Sequence, residues 1–285
     1  MMWWKKKSLY LLLLSLGLAT LIWVQMGMFL THLIFGTQLK MNFFKFCLSL
    51  FMEDSFYYFL VIFLVNTLLT YIFLITIIKL GRQVIVSKRF SRRLSECKDN
   101  ELTSLIRTTY RHNENLIVVK SDSVLAFTMG YIKPTIVLST GLILMLEKDE
   151  LRAVIEHETF HKNNHDPLKL FMLELIAQSL WFIPLTQWCQ QNYSIISEIL
   201  ADEYAVRKMG SEMELSTALI KLIKYHVSVK NTPSLVHFSG GSINFRLQQL
   251  VEPNEAIPIK LTRRNIFISV HVLLFFIGMV LLTTA

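Results

Sequence analysis

Charge is scarce in this chain. Asp, Glu, Lys and Arg make up 18% of its 285 residues, against about a quarter in an ordinary soluble domain. Proline (6) and glycine (10) are also few, which excludes collagen-like and low-complexity disordered architectures. The three cysteines, Cys47, Cys97 and Cys189, are odd in number and scattered, so they provide no disulfide framework. No CxxC pair is present, which argues against a thiolate zinc site. In place of charge there is apolar mass: 53% of residues are hydrophobic, with 20 Phe and 12 Met, and the mean hydropathy is +0.44. The chain is long enough for one or two domains and too apolar for a soluble enzyme.

Four stretches carry no charged side chain: residues 8–39, 55–78, 175–197 and 265–285. A spanning helix needs about 20 apolar residues, so transmembrane helices are predicted at 9–30, 56–78 and 265–285. Lys5, Lys6 and Lys7 resemble the start of a signal peptide, but the apolar run after them is too long and no A-x-A cleavage site follows. Lys79, Arg82, Lys88, Arg89, Arg92 and Arg93 follow the second helix, and Lys260, Arg263 and Arg264 precede the last. The positive-inside rule then predicts a cytoplasmic N-terminus, a cytoplasmic region 81–264 and an external C-terminus in the cell membrane. The net charge of +8 reads as topological bias with some attraction to anionic lipid. Direct nucleic-acid binding is not expected, because no basic run interleaved with aromatics occurs in the polar part.

Residues 168–189 are apolar but include Lys169, Glu174, Gln178, Pro184 and Gln187. A single crossing there would reverse the last helix against its basic flank, and the stretch is too short to cross twice. It is expected to form one helix of the cytoplasmic domain that lies on or dips into the membrane. Residues 116–120, 124–128 and 135–139 are short and β-branched or aromatic, and predict a small sheet. Helices are predicted at 91–112, 148–164, 193–209, 212–229 and 243–251. The fold class is therefore an α+β membrane protein: two helices in 1–80, a mostly helical domain with a small sheet in 81–264, and a last helix in 265–285.

Within the predicted helix 148–164 stands His157-Glu158-Thr159-Phe160-His161, an HExxH string. Residues four apart share a helix face, so two imidazoles can converge on one zinc ion while Glu158 serves as general base toward a water there. The alternative is a pair of histidines on a helix surface. Asp149 and Glu150 favour a helix start just before the motif, and Pro167 is placed to stop the helix after it. Asn164 and Pro167 stand where a metzincin has Gly and His, which excludes that class. His165 lies eight residues from His157, about 12 Å along the axis, too far to share a metal with both other histidines. Downstream, Glu198 and Asp202 are four apart on a second predicted helix. Glu198 can complete a His2Glu zinc shell, and Asp202 can orient a ligand histidine; alone, such a pair is often just a solvated face shared with Glu203 and Arg207.

These motifs, together with Ala126-Phe127-Thr128-Met129-Gly130, Lys133-Pro134-Thr135-Ile136-Val137-Leu138, Asp149-Glu150-Leu151, His165-Asp166 and Asn244-Phe245-Arg246-Leu247, resemble the membrane zinc metallopeptidases of the BlaR/MecR type. More distantly they resemble the CAAX prenyl protease and heat-shock membrane protease group. The resemblance covers nearly all of 81–251. It implies a gluzincin domain between membrane helices, with His157, His161 and Glu198 as zinc ligands and Glu158 as base. A proline usual after the second strand is absent at Ser139 or Thr140. The penicillin-binding sensor that follows the last helix in the β-lactam transducers is not expected here, so a β-lactam trigger does not carry over.

The expected function is a membrane zinc endopeptidase that cuts a cytoplasmic or membrane-proximal protein in signal transduction, either a transcriptional repressor or the protease itself. The alternatives are quality-control or peptide-processing cleavage in the membrane, and a non-catalytic scaffold or immunity protein; the last has no need of Glu158. Expected partners are a protein or peptide substrate, the lipid bilayer and a second copy of the chain as a homodimer. An extended substrate segment is expected to pair along the strand edge at Ala126, Phe127 and Thr128. Arg246 is expected either to pair with a carboxylate near the site or to contact substrate. His32, His112, His226, His237 and His271 are isolated and expected to have structural or interfacial places.

Overall fold

A computed structural model describes residues 2–36, 42–51, 55–110, 115–228, 245–249 and 262–282. The order of elements is α1 (Met2–Phe35), α2 (Phe43–Ser49), α3 (Phe56–Glu96), α4 (Asn100–Thr109), β1 (Leu116–Val119), β2 (Ala126–Met129), β3 (Thr135–Ser139), α5 (Thr140–Met145), α6 (Lys148–Asn164), α7 (Asp166–Ser179), α8 (Pro184–Met209), α9 (Met213–Ser228), α10 (245–249) and α11 (Arg263–Leu282). The expected class holds at this level: the chain is mostly helical with one small sheet. It divides into two units. One comprises Tyr10–Gln83, Met172–Gln190 and Lys260–Ala285; the other comprises Met1–Leu9, Val84–Phe171 and Gln191–Ile259.

The first unit is apolar on its outside. Among the described residues, two helices are long and apolar enough to cross a bilayer, Trp3–Phe35 and Phe56–Glu96. Tyr10, Leu13, Phe59, Phe63, Phe73 and Leu74 are all exposed, a surface suited to lipid and costly in water. Inside, Ala19, Ile22 and Phe29 of α1 pack with Phe44, Leu69, Ile72, Ile176, Leu180 and Ile183. Several polar groups in this interior are paired, as a dry environment favours. Thr76 Oγ1 lies 3.1 Å from Ser179 Oγ, Lys79 donates to Gln178, and the Leu185 N–H donates to Ser269 Oγ at 3.0 Å.

Several helix boundaries differ from those the sequence predicts. Both α1 and α3 outrun their apolar cores, because the flanking basic residues are good helix formers and Gly81 alone does not stop a helix. At 41 residues α3 is about 60 Å long. The helix predicted at 91–112 is instead the end of α3 followed by α4, divided at Asp99, whose carboxylate caps α4 by accepting from the Leu102 N–H at 3.0 Å. The single helix predicted at 168–189 is two: α7 stops at Ser179 and α8 starts at Pro184. Proline lacks the N–H an interior turn would need and fits only the first turn of a helix. For the same reason Pro167 stands inside the first turn of α7, three residues past Asn164, where α6 ends as expected.

In the second unit the sheet has the order β1-β3-β2. β1 runs parallel to β3, and β2 antiparallel to it with Thr128 opposite Ile136. Side chains alternate between faces. Leu116, Val118, Ile136 and Leu138 face a core with Leu151, Val154 and Ile155 of α6 and Ala218 and Leu222 of α9. Val119 and Val137 face Leu94 of α3, with Ile117, Phe127 and Met129 around them. The alternation therefore turns Thr128 toward α6 and Phe127 away from it. Gly130 turns the chain between β2 and β3 at φ +97°, where a Cβ would meet the Lys133 carbonyl oxygen at 2.8 Å. Among the described residues β2 is an edge strand with no second neighbour.

Candidate active site

α6 is held in phase from both ends and two sides. At its start Glu150 accepts the Glu147 N–H at 2.8 Å, half of a capping box, and Lys221 of α9 lies 2.7 Å from the same carboxylate. Along it, Val154 and Ile155 pack on the sheet side, while Ala153 packs against Ala205, Leu215 and Leu219. At its end His165 takes a left-handed conformation (φ 53°) and its N–H closes onto the His161 carbonyl. With the helix so fixed, the i, i+4 spacing brings His157 Nε2 and His161 Nε2 to 3.2 Å.

Glu198 comes from α8. Its Oε2 lies 3.6 Å from His157 Nε2 and its Oε1 3.6 Å from His161 Nε2. The three donors fall within 4.8 Å of one another. A tetrahedral ion with ligands at ~2.0–2.1 Å holds its donor atoms ~3.3 Å apart, so the separations suit one small metal ion with little movement. Each imidazole has a carboxylate behind it. Asp202 Oδ1 is 2.8 Å from His157 Nδ1, a short contact that is not well aligned. Asp166 Oδ2 is 2.8 Å from His161 Nδ1. With Nδ1 of each ring turned to a carboxylate, Nε2 of each is left for the metal.

Glu158 is buried. Thr128 of β2 lies with its Oγ1 2.8 Å from Glu158 Oε2 and 3.0 Å from the Glu158 carbonyl oxygen, which its single proton can serve in turn. Arg246 is also buried. Its Nε and Nη2 donate to Asp202 Oδ2 and Oδ1, each at 2.7 Å, and its Nη1 is 3.0 Å from Glu198 Oε2. Of the two roles open to Arg246, its geometry takes pairing with carboxylates. Phe127 packs on Phe90 of α3 at 5.7 Å between centroids, and Ala126 faces the core, so of these two only the backbone lies along the sheet edge.

The charges are strongly coupled. Burial and Arg246 oppose a charged His157, but Asp202 and Glu198 outweigh them and raise its pKa to about 9. Burial likewise opposes charge on His161, and Asp166 and Glu198 overcome it. The Nε2 atoms lie 3.2 Å apart, too close for both to carry a proton, so the two imidazoles titrate as a pair. Glu198 and Asp202 stay ionised well below the usual carboxylate range: burial works against them, and Arg246 first, then the imidazoles, override it.

The structure brings His157, His161, Glu158, Glu198, Asp202, Thr128 and Arg246 together, whereas the side chains of Ala126 and Phe127, also expected there, turn to the sheet core and to Phe90. Asp166 stands behind His161 as a member of the site to which the sequence, where it figures only within the His165-Asp166 string, gives no role. His165 is exposed and caps α6. His271 is exposed, with Nδ1 2.8 Å from the Phe267 carbonyl oxygen. His112, His237 and Asn244 lie outside the described residues.

The family model described as BlaR1 peptidase M56 matches residues 46–250, which include His157, Glu158, His161, Asp166, Glu198, Asp202 and Arg246. Regulatory protein BlaR1 of Bacillus licheniformis is 25% identical over 162 residues, covering 55% of this chain and 27% of that protein. The matched part is thus roughly a quarter of that relative's length.

Proposed function

The chain belongs to the BlaR1 peptidase M56 family, and on that premise we propose that it is a zinc-dependent endopeptidase of the cell membrane that cuts a protein in signal transduction. The observation that carries this reading is the convergence of His157, His161 and Glu198 within 4.8 Å, with Glu158 buried beside them against β2. Two imidazoles and one carboxylate are a catalytic zinc set, leaving a position open for reactants. Bound there, zinc would polarise the scissile carbonyl and acidify water.

The remaining chemistry is the chain's own. Glu158 accepts a proton from the attacking water and returns it to the amine nitrogen as the C–N bond breaks. Thr128 holds that carboxylate toward β2. Asp202 and Asp166 fix the imidazoles, and Arg246 balances the two carboxylates of α8. An extended substrate segment pairs with the free edge of β2, which makes cleavage depend on a flexible target more than on a strict sequence. By likeness to BlaR1, named a regulatory protein, the substrate is a transcriptional repressor or the protease itself. In this reading α1, α3 and α11 cross the bilayer. The N-terminus and a gluzincin domain within 81–264 face the cytoplasm, and the C-terminal end of α11 faces outward. The carboxylate of Glu158 favours an enzyme over a scaffold, which needs no general base.

The test is a comparison of new protein N-termini in cells carrying the wild type and Glu158→Gln. Cleavage products that vanish in the variant are expected. Identical sets of termini would rule the protease reading out.

A further inference from the structure

Asp166 does more than face His161. It is almost fully buried, at 1% exposure, and each of its oxygens is engaged. Oδ2 lies 2.8 Å from His161 Nδ1. Oδ1 accepts from Asn164 Nδ2 at 2.7 Å and from the Tyr193 hydroxyl at 2.9 Å. Asn164 is itself held by Lys169 Nζ at 2.8 Å. Tyr193 is 2% exposed, and no step of the chemistry above uses it.

A buried phenol needs a partner, and a buried carboxylate needs its lone pairs filled. Burial and the neighbouring Asp166 both favour the neutral phenol, so Tyr193 is the donor. The bond joins two elements that carry the site. Tyr193 stands on α8 five residues before Glu198, about 7.5 Å along the axis. Asp166 begins α7, immediately after the left-handed turn at His165. The Tyr193 hydroxyl therefore fixes the carboxylate behind one proposed ligand, and ties to it the helix that carries another.

We propose that Tyr193 is a positioning residue for the metal centre, acting through Asp166 to hold His161 in the ring orientation that a bound zinc ion requires. This rests on the zinc reading above. A carboxylate bonded on one side only can swing about its Cβ–Cγ bond; with Tyr193 and Asn164 on Oδ1, Oδ2 stays aimed at Nδ1. Outer partners of this kind are worth 10- to 100-fold in metal affinity in other zinc proteins.

Tyr193→Phe removes the hydroxyl and keeps the ring that packs in the core. The full-length protein in detergent, loaded with zinc, is mixed with excess chromogenic chelator and zinc release is timed. Release is expected to be at least about tenfold faster in Tyr193→Phe than in the wild type, with the metal-free melting temperatures of the two similar. Cobalt-loaded Tyr193→Phe should show a shifted visible d–d band. In an Asp166→Asn background the same change should add nothing, because the two residues act as one unit. Release within twofold of the wild type, or full additivity with Asp166→Asn, would overturn the proposal. A wild type that holds no zinc would instead remove the zinc reading on which it rests.

Discussion

Thr128 Oγ1 lies 2.8 Å from Glu158 Oε2, so the edge strand on which a substrate would lie also holds the base that would act on it. The register of β2 makes this contact: Thr128 pairs with Ile136 and shares its α6-facing side. A slip of one residue would turn Phe127 or Met129 to Glu158 instead.

Thr128→Val keeps the β-branched shape and loses the hydroxyl. A hydrogen bond to a charged group is worth about 1.5–3 kcal/mol, so kcat should fall about 10- to 100-fold. KM and zinc content should change little, since neither the substrate edge nor the metal donors are touched. Steady-state kinetics on a cleaved peptide gives the answer; an unchanged kcat would mean that Glu158 is oriented by other groups.

Zinc binding should strengthen with pH. Without metal, His157 has its pKa raised from 6.5 to about 9, so the histidine pair keeps its proton at neutral pH. Zinc must displace that proton, and affinity should rise about tenfold per pH unit up to about 9 and then level. Folding of the metal-free protein follows the opposite sign. The raised pKa contributes stability that is fully present below 6.5 and is lost as pH rises through about 9. Titration with a competing chelator at several pH values measures the first effect. A flat profile between pH 6.5 and 9 would show that the pair is already neutral.

Arg246→Met would leave Asp202 and Glu198 without their counter-charge. Breaking a buried pair by removing one partner costs about 3–5 kcal/mol, so the metal-free variant should melt well below the wild type. Saturating zinc should recover part of the loss, because a dication then faces Glu198. Melting curves with and without zinc test both halves. A variant as stable as the wild type would mean that the ion pairs of Arg246 contribute nothing net.

Much of the site is legible in the amino-acid sequence itself. HExxH puts His157 and His161 on one helix face with Glu158 beside them because a helix has one period, and α6 runs over Lys148–Asn164 as its acids and apolar spacing predict. Glu198 and Asp202 are legible by the same four-residue spacing. What escapes the sequence lies where local pattern and tertiary need part company. The break at 180–183 depends on which side of Pro184 the chain turns, which hydropathy does not report. The role of Asp166 depends on a left-handed residue, His165, at a position without glycine. Tyr193 reads as one more aromatic in an apolar run, and only the packing of α8 turns it toward Asp166. Arg246 is 44 residues from Asp202, and no periodicity links the two.

The central claim is that His157, His161 and Glu198 together hold one zinc ion, and the direct measurement is the metal content of purified protein in detergent. The wild type should hold about one zinc per chain. Glu198→Ala should lose more than Asp202→Ala, which leaves all three donors in place, and the His157→Ala, His161→Ala double variant should hold none. Equal zinc in the wild type and the double variant would contradict the account.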